Sequence, residues 1–308
     1  MRVRAPGKLV LTGAYAVLEG APAIVLAVDR HAVADTAVRE PNPSAEVREA
    51  LAGADAPGVD ARALHDERGT KLGLGSSAAV LVASLGAIGA ARGQDLSCHR
   101  ERDALFHAAR EAHARTQQGG SGVDVAASVY GGALRYELGV AGRAPSVRRV
   151  KLPEGTVVTS YWSGGSVRTS ELRARVDALA ARDRTRYEAR MKALRSASLA
   201  AAQAVDDDDA ARLVAAARAM SEALLALGQA ADAPIVTPSM SELARHAAKD
   251  GAAFLPSGAG GGDVAVHVGE AAPTPAFLEA ARSLGMTPLI LSLDVGGVRI
   301  DRQDHMEH

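Results

Sequence analysis

Cysteine is almost absent: Cys98 stands alone in 308 residues. One thiol excludes an internal disulfide framework and any cysteine-rich zinc site. Aromatic residues make up only 3%, while alanine supplies about a fifth of the chain, which favours helices packed closely on small side chains. An excess of either charge is lacking too. Lys+Arg of 35 against Asp+Glu of 36 gives −1, so no global basic field exists to hold nucleic acid. Nor is there an uninterrupted apolar run. The stretch from Leu9 to Val28 is broken by Glu19 and Pro22 and does not read as a membrane span. The N-terminus has no basic region followed by an apolar core, so no signal peptide is expected and the expected location is cytoplasmic. With 47% hydrophobic and 23% charged residues, the chain is a globular one whose length suits two domains.

Lysine is the scarce base. Only Lys8, Lys71, Lys151, Lys192 and Lys249 occur, so a lysine set in a glycine-rich motif suggests a use for its compact charge. Lys8 and Lys71 are both set that way.

Strands are expected at Lys8 to Thr12 and Ala23 to Asp35, then loops with one short helix between Arg39 and Thr70. A helix from Ala78 to Ala91 stops at Gly93, and Ser97 is expected to cap another running to about Gln117. A short helix at Ala126 to Tyr130 leads into a strand at Ala133 to Tyr136. The second half reads as a strand at Val157 to Trp162 and helices at Ser170 to Ala204, Asp207 to Gln229 and Ser239 to Ala248. Strands at Ala252 to Leu255 and Val264 to Val268, a helix at Thr274 to Leu284 and a strand at Pro288 to Leu293 follow. With the helices collapsed this is β-α-β-β-α-β, the split arrangement of a ferredoxin-like layer. The domain boundary is placed near Leu152-Pro153. The run Asp206 to Asp209 reads as a solvated helix N-terminus favoured by the dipole.

Three glycine-rich turns carry chemistry. The first is Lys71-Leu-Gly-Leu-Gly-Ser-Ser-Ala-Ala, where two glycines allow close backbone approach and a helix begins at two hydroxyls. It is either an anion site or an ordinary N-cap, and it is not a Walker A loop, because no Lys-Ser or Lys-Thr follows the last glycine. The second, Gly120-Ser-Gly-Val-Asp124, precedes a short helix; its acid either caps that helix or faces a phosphate or nucleophile. The third runs from Pro256 to Asp263, with four glycines in five positions. A hairpin needs two residues, not seven, so this backbone is expected to approach a ligand or another loop closely. His107 and His113, six apart, lack helical metal-pair spacing, and no serine has the nucleophile-elbow pattern.

In this order the turns resemble the three signature motifs of the GHMP kinase superfamily: Ala5-Pro-Gly-Lys through Gly20, Gly73-Leu-Gly-Ser-Ser-Ala-Ala, and Ser257-Gly-Ala-Gly-Gly-Gly-Asp. Within it the chain is most similar to the phosphomevalonate kinases, through Ala112-His113 with Gln118-Gly-Gly-Ser-Gly-Val-Asp, through Pro234-Ile-Val-Thr-Pro, and through Trp162-Ser-Gly with Thr169-Ser. Mevalonate kinases tend to carry a glutamate where His113 stands, eleven residues before Asp124. Two positions depart from the family pattern: Ala14 replaces a glutamate and Leu255 a lysine.

The resemblance implies an α+β fold of two domains. Residues 1–152 would form a ribosomal-protein-S5-domain-2-like nucleotide-binding domain and 153–308 a ferredoxin-like domain, with the active site in the cleft between them. It further implies ATP and Mg²⁺ as cofactors and phosphorylation of (R)-5-phosphomevalonate to 5-diphosphomevalonate. Lys8 and Asp124 would be catalytic. Lys71, Gly73, Leu74, Gly75, Ser76 and Ser77 would bind the nucleotide, with Ser77 on the metal. His113, Ser121, Gly122, Ser257, Gly258, Ala259 and Gly260 would bind substrate, and Arg135, Arg168 and Arg173 are candidate cations for it. Asp124 matches the mevalonate-kinase base, but a phosphate monoester with a second pKa of about 6 is mostly dianionic at pH 7 and needs orientation more than a base. Asp124 is therefore expected to orient Lys8 and the metal. Neither a nucleic acid nor a membrane is an expected partner; a homodimer is a possible state. The alternatives are a mevalonate kinase or other small-molecule GHMP kinase, or a GHMP protein that binds nucleotide without turnover.

Overall fold

The computed structural model describes residues 1–117, 119–139, 143–165 and 168–302; Gln118 of the second turn lies outside them. Contacts divide the chain into two compact units, each assembled from separate segments. One comprises Met1–Lys8, Ala27–Gly132 and Leu293–His308, the other Leu9–Leu26 and Ala133–Ser292. Strands β1 (Arg2–Thr12) and β2 (Ala23–Glu40) contribute to both.

In the first unit β1 pairs antiparallel with β10 (Arg299–Ile300), Val3 opposite Ile300. The far half of β2 pairs with β3 (Ala56–Asp60), with an irregularity between Asp35 and Arg39. Helices α1 (Ala45–Leu51), α2 (Ser76–Ala91), α3 (His99–Thr116) and α4 (Val123–Tyr130) complete it. Helix α2 is apolar nearly all round and correspondingly buried, with Ala78, Leu81, Val82, Ala83 and Ala87 inaccessible. A Cβ at its Gly86 would lie 3.1 Å from both Val3 and Val298, so a small residue is needed for that packing. Ser97 does not cap α3. Cys98 holds that position without a side-chain bond, and Ser97 is drawn into a turn with Asp95, whose carboxylate accepts from its N–H and its hydroxyl.

In the second unit β4 (Ala133–Glu137) lies between the first four residues of β2 and β5 (Ser146–Val150), antiparallel to both. A four-stranded sheet has the order β7 (Ala253–Pro256), β8 (Val264–Gly269), β6 (Val157–Trp162), β9 (Thr287–Leu289), with every pair antiparallel. This is the expected split β-α-β-β-α-β order. Two of the three phenylalanines, Phe254 and Phe277, gather with Tyr161 in its core at centroid separations of 5.5–5.8 Å.

The long helical stretch after Ser170 is two helices, α5 (Thr169–Arg182) and α6 (Arg184–Asp206). Asp183 separates them by accepting from the Arg186 N–H as an N-cap. Helix α7 (Ala210–Ala231) packs on α6. The acidic run between them corrects the simple N-terminal reading. Asp206 ends α6 and accepts from Arg135 and Arg148, while Asp207 accepts from Gln203 and Arg212. Asp208 takes the Glu154 N–H, and only Asp209 caps α7. Thr237 and Thr274 cap α8 (Pro238–Lys249) and α9 (Pro275–Ser283). Among the described residues no helix is long and apolar enough to cross a membrane.

Candidate active site

The first glycine turn is shaped by backbone that no side chain could share. Gly73 and Gly75 have φ of +78° and +74°, the left-handed region. A Cβ on Gly75 would meet the Lys8 stem at 3.0 Å and Asp124 Cβ at 3.6 Å. Strand β1 comes equally close: a Cβ on Gly7 would lie 2.7 Å from the Leu74 carbonyl. These approaches account for Pro6-Gly7-Lys8, because the Lys8 N–H donates to Leu74 O at 2.9 Å and its ammonium to Gly73 O at 3.0 Å. Ser128 of α4 donates to the Pro6 carbonyl at 2.8 Å and ties that helix to the same strand.

Helix α2 begins at Ser76 after Gly75 with no side-chain cap, so its first N–H groups have no acceptor within the helix. Helix α4 begins likewise after Gly122, at φ +78°, with Asp124 in its first turn. Two dipoles and the Lys8 ammonium thus favour anionic ligands here. Asp124 is one-fifth exposed; one of its oxygens accepts from the Val125 N–H and the other lies 3.6 Å from His113 Nε2. His113, in the last turn of α3, is also 3.3 Å from Ser77 Oγ. The Ser121 hydroxyl accepts from the Val123 N–H at 3.4 Å. Behind α3, Glu46 accepts from Gln117 at 2.8 Å. Burial raises its pKa, but bonds from its own backbone, Gln117 and Ser44, with the attraction of His113, outweigh that and leave it below the usual range.

Lys8, Gly73, Gly75, Ser77, His113 and Asp124 are therefore close together in the first unit, with Ser76 buried at the head of α2. Lys71 is exposed and bridged through its backbone to His65. Arg135 is engaged by Glu137 and Asp206, and Arg173 lies 4.0 Å from Asp177. Arg168 is the exposed N-cap residue of α5.

The third turn belongs to the second unit. Ser257 is buried; its hydroxyl accepts from the Val10 N–H at 2.8 Å. A Cβ on Gly260, at φ +83°, would come within 2.1 Å of the Ile235 carbonyl, so this glycine serves a close approach to the 233–236 loop. Tyr15 was not singled out by the sequence reading. Its φ of +62° is unusual for an aromatic residue, and its hydroxyl donates to Ala259 O at 2.8 Å. Its place inside the first motif, between Gly13 and Gly20, was the available signal. Ala14 and Leu255, the two departures, are both buried.

Among the described residues no group of three His, Cys, Asp or Glu could hold a metal by itself. Mg²⁺ does not require one, since it commonly uses one or two carboxylates with phosphate oxygens and water. The carboxylate of Asp124, beside the uncapped start of α2, fits that pattern.

The model of the GHMP kinases N terminal domain matches residues 45–132. A phosphomevalonate kinase of a Streptomyces species is 30% identical over 96% of this chain and 94% of its own. The mevalonate kinase of Archaeoglobus fulgidus is 28% identical over 57% of this chain and 63% of its own. Among solved structures, a Streptococcus pneumoniae phosphomevalonate kinase in complex with phosphomevalonate and AMPPNP shares the fold with a TM-score of 0.80. That likeness covers 95% of this chain and 99% of the other at 19% identity. With a near-full-length relative at that identity, the chain belongs to the GHMP kinases and, within them, to the phosphomevalonate kinase family.

Proposed function

We propose that this protein transfers the γ-phosphoryl group of Mg·ATP to the phosphate of (R)-5-phosphomevalonate, releasing ADP and 5-diphosphomevalonate. One observation carries the reading beyond family membership. Lys8 and Asp124 border the same glycine, Gly75, at the uncapped start of α2. In the reaction a bond forms between an acceptor phosphate oxygen and the γ-phosphorus, and the bond from that phosphorus to the β-bridging oxygen breaks. The acceptor oxygen is already largely deprotonated at pH 7, so no proton need be removed.

The chain's own groups position and neutralise. The N–H groups of Ser76 and Ser77 would bind triphosphate oxygens, and Lys8 would offset charge on the transferred group. Asp124 would orient Lys8 and hold Mg²⁺, which when bound screens the phosphate oxygens. In the first unit Ser121 and Gly122 are proposed to contact the acceptor; for Ser257, Gly258, Ala259 and Gly260 of the second unit a substrate contact is a separate proposal. Lys71 would add charge at the nucleotide. Charged metabolites as substrates fit a cytoplasmic enzyme.

A coupled ADP-release assay with Mg·ATP tests the reading, comparing phosphomevalonate and mevalonate at equal concentration. Turnover with phosphomevalonate alone is expected. Turnover with mevalonate alone would reassign the acceptor and make Asp124 the base.

A further inference from the structure

Among the described residues, His113 has one nitrogen facing acceptors and one facing none. Its side chain is 8% exposed, Nε2 lies 3.3 Å from Ser77 Oγ and 3.6 Å from Asp124 Oδ2, and Nδ1 is buried with no hydrogen-bond partner among the described residues. A Cβ on Gly120 would sit only 3.4 Å from Nδ1, so the backbone closes that side. A proton on Nδ1 would be a buried donor with nothing to receive it. On Nε2 the proton faces a hydroxyl oxygen and a carboxylate oxygen together, and this tautomer is the one the surroundings select.

The consequence falls on Ser77. A serine hydroxyl has one proton and two lone pairs. When Oγ accepts from Nε2–H, its own proton turns away from the imidazole. At the second residue of α2 it then joins the free N–H groups as a further donor. A donor suits a phosphate oxygen. The imidazole is equally ill placed as a metal ligand, because ligating histidines ordinarily donate from their other nitrogen to a fixed acceptor, and Nδ1 has none. Building on the phosphoryl-transfer reading above, the geometry points to His113 as a positioning residue that fixes the Ser77 hydroxyl as a hydrogen-bond donor to a nucleotide phosphate oxygen, with the imidazole itself off the metal. This gives the Ser77 hydroxyl a phosphate contact of its own and replaces the substrate contact expected for His113.

The test is the affinity for AMPPNP, read by calorimetry in EDTA and again in Mg²⁺. The proteins are the unmodified chain, S77A, H113L, H113Q and the S77A/H113L pair. S77A and H113L are each expected to weaken binding about tenfold in EDTA, and the pair no more than either alone. H113Q, whose amide N–H reaches near the place of Nε2, should stay within about threefold of the unmodified protein. Losses that multiply in the pair, or a S77A loss seen only with Mg²⁺, would overturn the inference. An unmodified protein that binds no AMPPNP in either buffer would overturn the nucleotide reading itself and this inference with it. If H113L fails to fold, H113Q and the two-buffer comparison of S77A still decide.

Discussion

Lys8 is gripped through both its backbone and its ammonium, by Leu74 and Gly73. Replacing it by methionine keeps most of the stem and removes only the charge. Lys8→Met should lower kcat by about 100-fold or more while the thermal midpoint moves little. Retained turnover in that variant would remove Lys8 from the machinery. Gly260 makes a different argument, because its replacement would be felt in folding. Gly260→Ala should destabilise by about 3 kcal/mol in urea unfolding, combining a strained φ with a clash on Ile235. Gly251→Ala serves as its control: φ there is +75° but nothing lies within 4 Å, so about 1 kcal/mol is expected. At this scale the glycines, Lys8 and Asp124 were legible, because their residue types are costly or rare in their settings. The reasons for Gly7 and Gly75 were not, since each depends on a chain segment distant in sequence.

One carboxylate gathers the turn that leads into β10. Asp294, with its side chain 3% exposed, accepts from the Gly296 and Gly297 N–H groups, from both terminal nitrogens of Arg299 and, at 2.6 Å, from His31. Its backbone joins the same arrangement, donating to Ala27 O and accepting from Gly132 N. Asp294→Asn should cost about 3 kcal/mol of stability, measured by chemical unfolding, because it leaves charged donors facing a neutral amide. A loss below about 0.5 kcal/mol would show that the segment is held without this carboxylate. The helices were largely legible as runs bounded by turn residues, and their ends less so, because Asp183 and Asp95 redirect the chain through side-chain bonds. Three strands were missed for separate reasons. β3 contains Pro57 and Gly58, β5 reads Ser-Val-Arg-Arg-Val with mostly exposed side chains, and β10 is two residues long.

For the whole molecule, interleaving is the feature least visible in sequence. Val3 pairs with Ile300 and Val28 with Leu293, and no local pattern encodes a partner that far away. Acid stability is also a property of the whole, with two contributions of stated sign. Burial holds the His267 imidazole, against Phe277, below its ordinary value of 6.5. The unfolded chain therefore binds a proton that the folded chain refuses, and stability falls as pH drops below about 6.5, levelling at the folded pKa. Burial alone would raise Asp294, but bonds from His31, Arg299 and Gly297 outweigh it and hold it far below the carboxylate range. Its contribution is complete above about pH 4 and drains away as pH falls below that. Unfolding curves should show an acid limb in two stages, the upper one missing from His267→Leu; an unchanged upper stage in that variant would contradict the assignment.

The mechanism stands on the claim that the acceptor is a phosphate, which ³¹P NMR of the reaction mixture can decide. With Mg·ATP and phosphomevalonate, the monoester signal should give way to the coupled pair of a new diphosphate as ADP accumulates. With mevalonate under the same conditions, no new monoester should form. A monoester growing from mevalonate, with phosphomevalonate left unchanged, would contradict the claim.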